Sequence, residues 1–401
     1  MQAHFLLGLA LAGLAATAAA ADKAIHLTVQ AGDFERRQTI VQFNLPQDTI
    51  RYHTASNSRG TAFPLQVDAD GLATFIVDAL KPGAEENFVL STASAADGNQ
   101  VTVTRDTTKL KLKMAGRPLA EYQAEPGEFP RAEIKPLFRR GGYLHPLYSP
   151  AGRVITDDFP PNHIHHHGVW WAWTKTEFED RHPDFWNMGD GKGRVEFVSL
   201  DQTWSGPVHG GFVSRHRFVD LIAAEPKVAL HETWRVQAYQ TGPAAPFWIL
   251  DLVSTQECAT PAPLKLPEYH YGGLGLRGHR SWDGKDQVAF LTSDGETDRD
   301  KGNTSRGRWC DMNGRVDGAQ VGIAILGHPD NFRAPQPMRL HPTEPFFCFA
   351  PQQMGDMKIT PGKPYVSRYR LVMHDGPPDK ALLDRLWNDY AHPPRVSLQK
   401  D

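Results

Sequence analysis

The residues best suited to chemistry crowd into one stretch, Asp157 to Trp173, which reads D-D-F-P-P-N-H-I-H-H-H-G-V-W-W-A-W. Neutral imidazoles bind metals or move protons, and indoles stack on flat ligands. Read with the two-residue period of an extended strand, His163, His165, His167, Trp171 and Trp173 share one face. Ile164, His166, Trp170 and Ala172 share the other, which has the apolar content of a packed layer. Gly168 either breaks the strand or lets a ligand approach the backbone. His163, His165 and His167 are therefore candidate ligands for a divalent metal such as Zn, Fe, Mn or Cu. A cupin-type site would need a glutamate shortly after the histidines, where Trp171 and Ala172 stand, so that reading fails. His163 and His165 serve equally as general acid and base on a sugar hydroxyl or an α-proton. A buried hydrogen-bonded network without chemistry is the third reading. His166, His167, Trp171 and Trp173 are the candidate substrate contacts, and Trp170 reads as core.

Other residues extend this constellation. Asp157 and Asp158 precede the histidines and could orient an imidazole, or simply close a turn. Glu232 lies among Leu230, Trp234 and Val236 by strand period, a desolvated setting that would raise a carboxylate towards general-acid use. A structural ion pair with Arg277 is the alternative. Tyr271, Gly273, Gly275 and Arg277 alternate onto one face, so small residues leave room for a ligand that the guanidinium clamps. His328 is a further catalytic candidate, with Asn331 and Arg333 as substrate contacts on the same turn. His209, His270, His279 and Arg280 are weaker candidates. No nucleophile elbow, Walker loop or dinucleotide fingerprint is present.

The elements that must position these residues are β-strands. Glycine and proline are plentiful, with 35 and 31 residues, which suits a turn-rich β protein. Alternating runs predict strands at 195–200, 212–219, 229–239, 248–255, 287–291, 321–326 and 365–372, and 379–390 reads as one helix after Pro377-Pro378. The start of the chain resembles an export signal: an apolar run from Phe5 to Ala15, then small residues, with cleavage near Ala20 or Ala21. Residues 1–21 are thus assigned to a signal peptide, 22–115 to a small β-sandwich-like accessory domain, and 116–395 to a large antiparallel β-sandwich. An exported protein is expected, periplasmic in a Gram-negative source, with no integral membrane segment after cleavage. The net charge of −3 without a basic block argues against nucleic acid. Three cysteines, Cys258, Cys310 and Cys348, permit at most one disulfide.

From Tyr143 to Trp171, the run Y-L-H-P-L-Y-S-P-A-G-R-V-I-T-D-D-F-P-P-N-H-I-H-H-H-G-V-W-W resembles the PmoA-like family of exported bacterial proteins. The stretches at 271–277, 308–311 and 322–331 add to the resemblance, which covers roughly 144–339. The methane-oxygenase name of that family implies a multi-span subunit, and nothing here spans a membrane. The resemblance implies an all-β supersandwich of the galactose-mutarotase-like kind and a carbohydrate setting. Tyr271 replaces an acidic residue of the family pattern, and Met338-Arg339-Leu340-His341 lacks its Trp-His.

The expected function is an exported carbohydrate-active enzyme, a lyase or isomerase that works on a sugar or oxidised sugar. Epimerisation, mutarotation and β-elimination all fit, with His163 or His165 as base or acid, Glu232 as partner and Arg277 stabilising negative charge. A metal-dependent oxygenase or hydrolase on the 163–167 cluster is one alternative. A non-catalytic glycan-binding protein is the other. The partner in each case is a small molecule or oligosaccharide.

Overall fold

The computed structural model describes residues 24–46, 51–94, 100–242 and 245–399. The signal-peptide assignment lies outside them. Two eight-stranded antiparallel sheets form the body of the molecule. The back sheet runs Gly193–Trp204, His209–Asp220, Lys227–Tyr239, Phe247–Cys258, Tyr365–Asp375, Ala319–Gly327, Trp309–Val316, Val288–Thr292. All seven strands predicted from alternation lie in it. The front sheet runs Met338–Leu340, Phe346–Phe349, Gly273–Arg277, Val169–Ala172, Tyr143–Leu147, Arg117–Gln123, Lys109–Met114, Val101–Asp106. Side chains of both sheets form one apolar core that includes Trp170, Trp171, Trp173, Trp186, Trp234, Trp248 and Trp282. The protein is therefore all-β, as expected, and its main body is a large antiparallel sandwich.

A second core, from Leu27 to Leu90, belongs to a five-stranded and a three-stranded sheet built mainly from the N-terminal segment. The strands at 101–123 form a continuous meander in the front sheet, so the expected 115/116 boundary falls at a hairpin turn inside that sheet. By sheet membership the chain divides between Ser91 and Val101. The chain end then returns to the N-terminal module. The helix Lys380–Ala391, capped by Asp379 Oδ1 accepting from Leu382 N at 3.1 Å, packs Leu383 and Leu386 inward. Its Asp389 pairs with Arg36 at 2.9 Å, both side chains almost fully covered. Arg395–Leu398 then adds as a strand beside His26–Gln30.

The histidine stretch departs from expectation. Strand begins only at Val169, and residues 161–165 make turns. Pro160 and Pro161 remove two backbone donors, and Phe159 sits at φ +48°. His163 N donates to Pro160 O at 3.1 Å, and His166 N to His163 O at 2.8 Å. A turn rotates successive side chains in a way that alternation does not describe, so the single His163/His165/His167 face does not form. All three cysteines are free.

Candidate active site

The turn is anchored to the end of the strand Gly273–Arg277. Arg277 N donates to Gly168 O at 2.8 Å, and Asp157 N donates back to Arg277 O at 3.2 Å. Gly168 is required here by packing: a Cβ would meet Leu144 O at 2.3 Å. The glycines of 272–277 likewise make room for protein and not for a ligand. A Cβ on Gly275 would strike Trp186 and Trp170 at 2.8 and 2.9 Å.

Below the turn the Arg277 side chain is wholly covered, which overturns its expected role as a substrate clamp. Its Nη1 donates to Glu344 Oε2 at 2.6 Å, and its Nη2 donates to Asn162 Oδ1 at 3.2 Å and to Asp283. Both terminal nitrogens are taken by the protein's own acceptors, while the buried Nε has none. It is a positioning residue.

Glu344 stands in the turn between the strands Met338–Leu340 and Phe346–Phe349. His341 Nδ1 accepts from Glu344 N at 3.2 Å, which fixes that turn. The Glu344 Oε2 that takes Arg277 also lies 2.8 Å from His163 Nδ1. One ligand atom each from His163, His341 and Glu344 fall within 4.8 Å of one another, and all three residues are partly exposed. Burial pushes the Glu344 carboxyl up, but the bonds and charges of His163 and Arg277 overcome it and hold it down to about 2. Burial, aided by the charges of Arg339, His163 and Arg277 and opposed by Glu344, takes His341 down to about 4. His165 falls to about 3 through burial, then His163, His167 and Arg277. At neutral pH the site thus holds an ionised carboxylate beside neutral His165 and His341.

Several expected members lie elsewhere. His166 is 3% exposed and stacks between His163 and Phe346, with both centroid distances 4.7 Å. It is a wall under His163 and offers no ligand surface. His167 is fully buried against Tyr143, its Nδ1 2.6 Å from Asp158 Oδ1, so the His163/His165/His167 metal set is not assembled. Trp171 and Trp173 are 1% and 0% exposed inside the sandwich, and Trp173 Nε1 donates to Gln256 Oε1 at 2.8 Å. Neither can stack on a ligand as expected. The apolar gain of burying an indole between two sheets outweighs its use at a surface.

Glu232 is also interior. It accepts from Ser254 Oγ at 2.6 Å and Gln256 Nε2 at 2.8 Å, and its other oxygen lies 2.9 Å from His216 Nδ1. Burial raises its carboxyl, but His216 and those bonds outweigh it and the net shift is downward. The expected raised acid and Arg277 pairing are therefore both corrected: its partner is His216, whose Nε2 is 2.6 Å from Tyr122 Oη.

His328, Asn331 and Arg333 pin a separate turn. Asn331 Nδ2 donates to Arg368 O at 2.8 Å and Arg333 Nη1 to Pro351 O and Gly355 O, both at 2.8 Å. His328 packs edge-on to Tyr390 at 5.0 Å. None of these contacts reaches His163 or Glu344. His209 is buried under Trp204, whose Nε1 donates to it at 3.0 Å.

Asn162, Asp283, His341 and Glu344 were not singled out by sequence. The spacing H-P-T-E just before the apolar run 346–349 was the one available signal, a polar turn between two strands.

A family model described as a family of unknown function, DUF6807, matches residues 109–388. The chain belongs to that family. The match supports the family resemblance of the central stretch and not the PmoA-like name. No curated protein matches the sequence. Among solved structures the chain is similar to an alpha-mannosidase from Enterococcus faecalis V583, at 10% identity and a TM-score of 0.49. That alignment covers 95% of this chain and 46% of the other. A protein in the glycosyl hydrolase family 38 from Enterococcus faecalis follows, at 9% identity and a TM-score of 0.45, with 95% and 48% covered. The chain spans about half the length of either, and likeness at this level carries no chemistry across.

Proposed function

We propose that this DUF6807 protein is an exported enzyme that moves a proton on a sugar or oxidised sugar, with its signal removed near Ala20 or Ala21. The observation that carries the chemistry is the 2.8 Å approach of Glu344 Oε2 to His163 Nδ1. The approach lies outside hydrogen-bond geometry, and it is the negative charge beside Nδ1 that favours the tautomer with its proton there, leaving Nε2 with a lone pair to accept one. The His163 side chain is 31% exposed, so a substrate can reach it. Arg277 holds the carboxylate in place and ionised. Neutral His165 beside it can hydrogen-bond a hydroxyl. Epimerisation, mutarotation and β-elimination all begin with such a proton removal. The sugar class comes from the family resemblance of the central stretch.

A second reading has one observation behind it: His163, His341 and Glu344 are grouped as a two-imidazole, one-carboxylate set is for a divalent cation. Arg277 shares the same carboxylate oxygen and disfavours added positive charge there. Elemental mass spectrometry on protein purified without chelator decides between them. Less than a tenth of a metal per chain supports proton transfer by the dyad. About one per chain, lost in a His163→Ala/His341→Ala variant that still folds, replaces that reading with the metal-centred one.

A further inference from the structure

Arg339 is the middle residue of the edge strand Met338–Leu340, and the protein leaves its charge unanswered. Met338 and Leu340 are 0% and 1% exposed in the core, so the residue between them points outward. Register sets Arg339 opposite Cys348 and Cys348 opposite Gly275, so Arg339 shares a sheet face with Arg277. Its Nη1 donates to Asn303 Oδ1 at 3.2 Å, and among the described residues no other acceptor takes it. Nε and Nη2 form the side edge of a guanidinium, a fork that matches the two oxygens of a carboxylate. Arg280 lays that edge on Asp157, at 3.0 and 2.8 Å, and Arg370 lays it on Asp251, at 2.7 and 2.9 Å. On Arg339 the same edge meets no acidic residue among the described ones, and neither nitrogen is sealed from solvent. His341 follows two residues later, roughly 7 Å along the strand direction. Its N donates to Phe346 O at 3.0 Å, which continues the pairing, and its ring stands 5.8 Å from that of His163. His341 therefore lies between the open fork and the proposed proton acceptor.

We infer that Arg339 selects the substrate: its Nε and Nη2 hold the carboxylate of an oxidised sugar, whose ring lies over His341 towards His163. The inference rests on the His163 reading for what happens to that sugar, and it narrows that reading from sugars in general to sugar acids. A planar fork tells a carboxylate from a hydroxyl by charge and by geometry together. Next to this strand, Gln353 Nε2 donates to His270 O at 2.9 Å and to Met338 O at 3.4 Å, which fastens the aromatic run Tyr269-His270-Tyr271 beside it. The Tyr269 and Tyr271 rings are partly exposed and 5.0 Å apart. They offer the apolar face that a sugar ring uses and a bare anion does not.

The test is calorimetric titration of the full chain with glucuronate, galacturonate and gluconate, with glucose and inorganic phosphate as comparisons. At least one sugar acid should bind more tightly than either comparison. Arg339→Gln should weaken that binding about 10- to 100-fold, the share of a charge-assisted hydrogen bond, and Arg339→Lys, which keeps the charge without the fork, should recover only part of it. Both variants should fold, because this partly exposed side chain gives up one hydrogen bond. In imidazole NMR of the unaltered protein, the bound acid should shift the His341 ring. No binding by any sugar acid, equal binding of glucose or phosphate, or full affinity in Arg339→Gln would each overturn the inference. Binding as expected without catalysed proton exchange would remove the His163 reading and keep Arg339 as the carboxylate site. Exchange confined to uncharged keto-sugars would do the reverse.

Discussion

Glu344 Oε2 takes a guanidinium on one side and faces an imidazole on the other, and the two contacts predict different losses. Glu344→Gln keeps the shape but loses the charge that selects the His163 tautomer. His163→Gln removes the proton carrier itself. Both should cut turnover by about 10²–10⁴, His163→Gln with little change in melting temperature because its side chain reaches the surface, and Glu344→Gln with a lowered one because it takes a carboxylate from the covered Arg277. Arg277→Met should instead unfold the site. It strands Glu344, Asp283 and Asn162 around a covered gap, and a loss of about 3–5 kcal/mol is expected in denaturant titrations. A melting curve unchanged by Arg277→Met would show that the guanidinium holds nothing. At this scale the sequence was partly legible. His163 and Arg277 were visible as chemistry because their neighbours are unusual in composition. Glu344 and His341 lie some 180 residues away from His163 in the chain, and only the closing of the front sheet brings them together. No local pattern encodes that meeting.

Back-sheet strands such as His209–Asp220 and Lys227–Tyr239 were legible because part of one face meets solvent, which imprints alternation, whereas Ala319–Gly327 is covered on both faces and showed only as an apolar run. Trp171 and Trp173 misled for a related reason. In a two-sheet sandwich this short strand is covered on both faces, so period says nothing about which side meets a ligand. The proline pair at 160–161 was the signal that the histidines after it belong to a turn. Two substitutions test the elements that hold this turn and the chain ends. Gly168→Ala should cost about 1–3 kcal/mol by overpacking, because its Cβ would press on the Leu144 carbonyl and on His145 and Thr156. Asp389→Ala leaves Arg36 buried without its carboxylate and should cost about 3–5 kcal/mol. Limited proteolysis of that variant should release the C-terminal strand from beside His26–Gln30; an intact, equally stable chain would show that the clasp is decorative.

Across the whole molecule, buried neutral histidines set the response to acid. His209 is fully covered between Gln66 of the N-terminal module and Trp204 of the back sheet. Burial, then Arg235, pushes it down to about 4. An unfolded histidine takes a proton near 6.5, so between pH 6.5 and 4 the unfolded chain binds a proton that the folded chain refuses. Stability should therefore fall as pH drops through that window, by on the order of 3 kcal/mol from this residue alone. His165, His166 and His167 are pushed in the same direction. Urea titrations at pH 7.5 and 4.5 should show the loss, and His209→Gln should reduce it; a chain as stable at pH 4.5 as at 7.5 would refute this. No helix among the described residues is long and apolar enough to cross a membrane.

The proton-transfer account meets its most direct test in deuterium exchange. Keto-sugars and uronates are incubated in D₂O with the protein, and exchange at the carbon next to the carbonyl or carboxylate is followed by NMR beside Glu344→Gln and His163→Gln. Catalysed exchange in the unaltered protein, slowed about 10²–10⁴ in both folded variants, is the expected result. Exchange that proceeds at full rate in both variants, or no catalysed exchange with any of these sugars, would contradict the role given to His163 and Glu344.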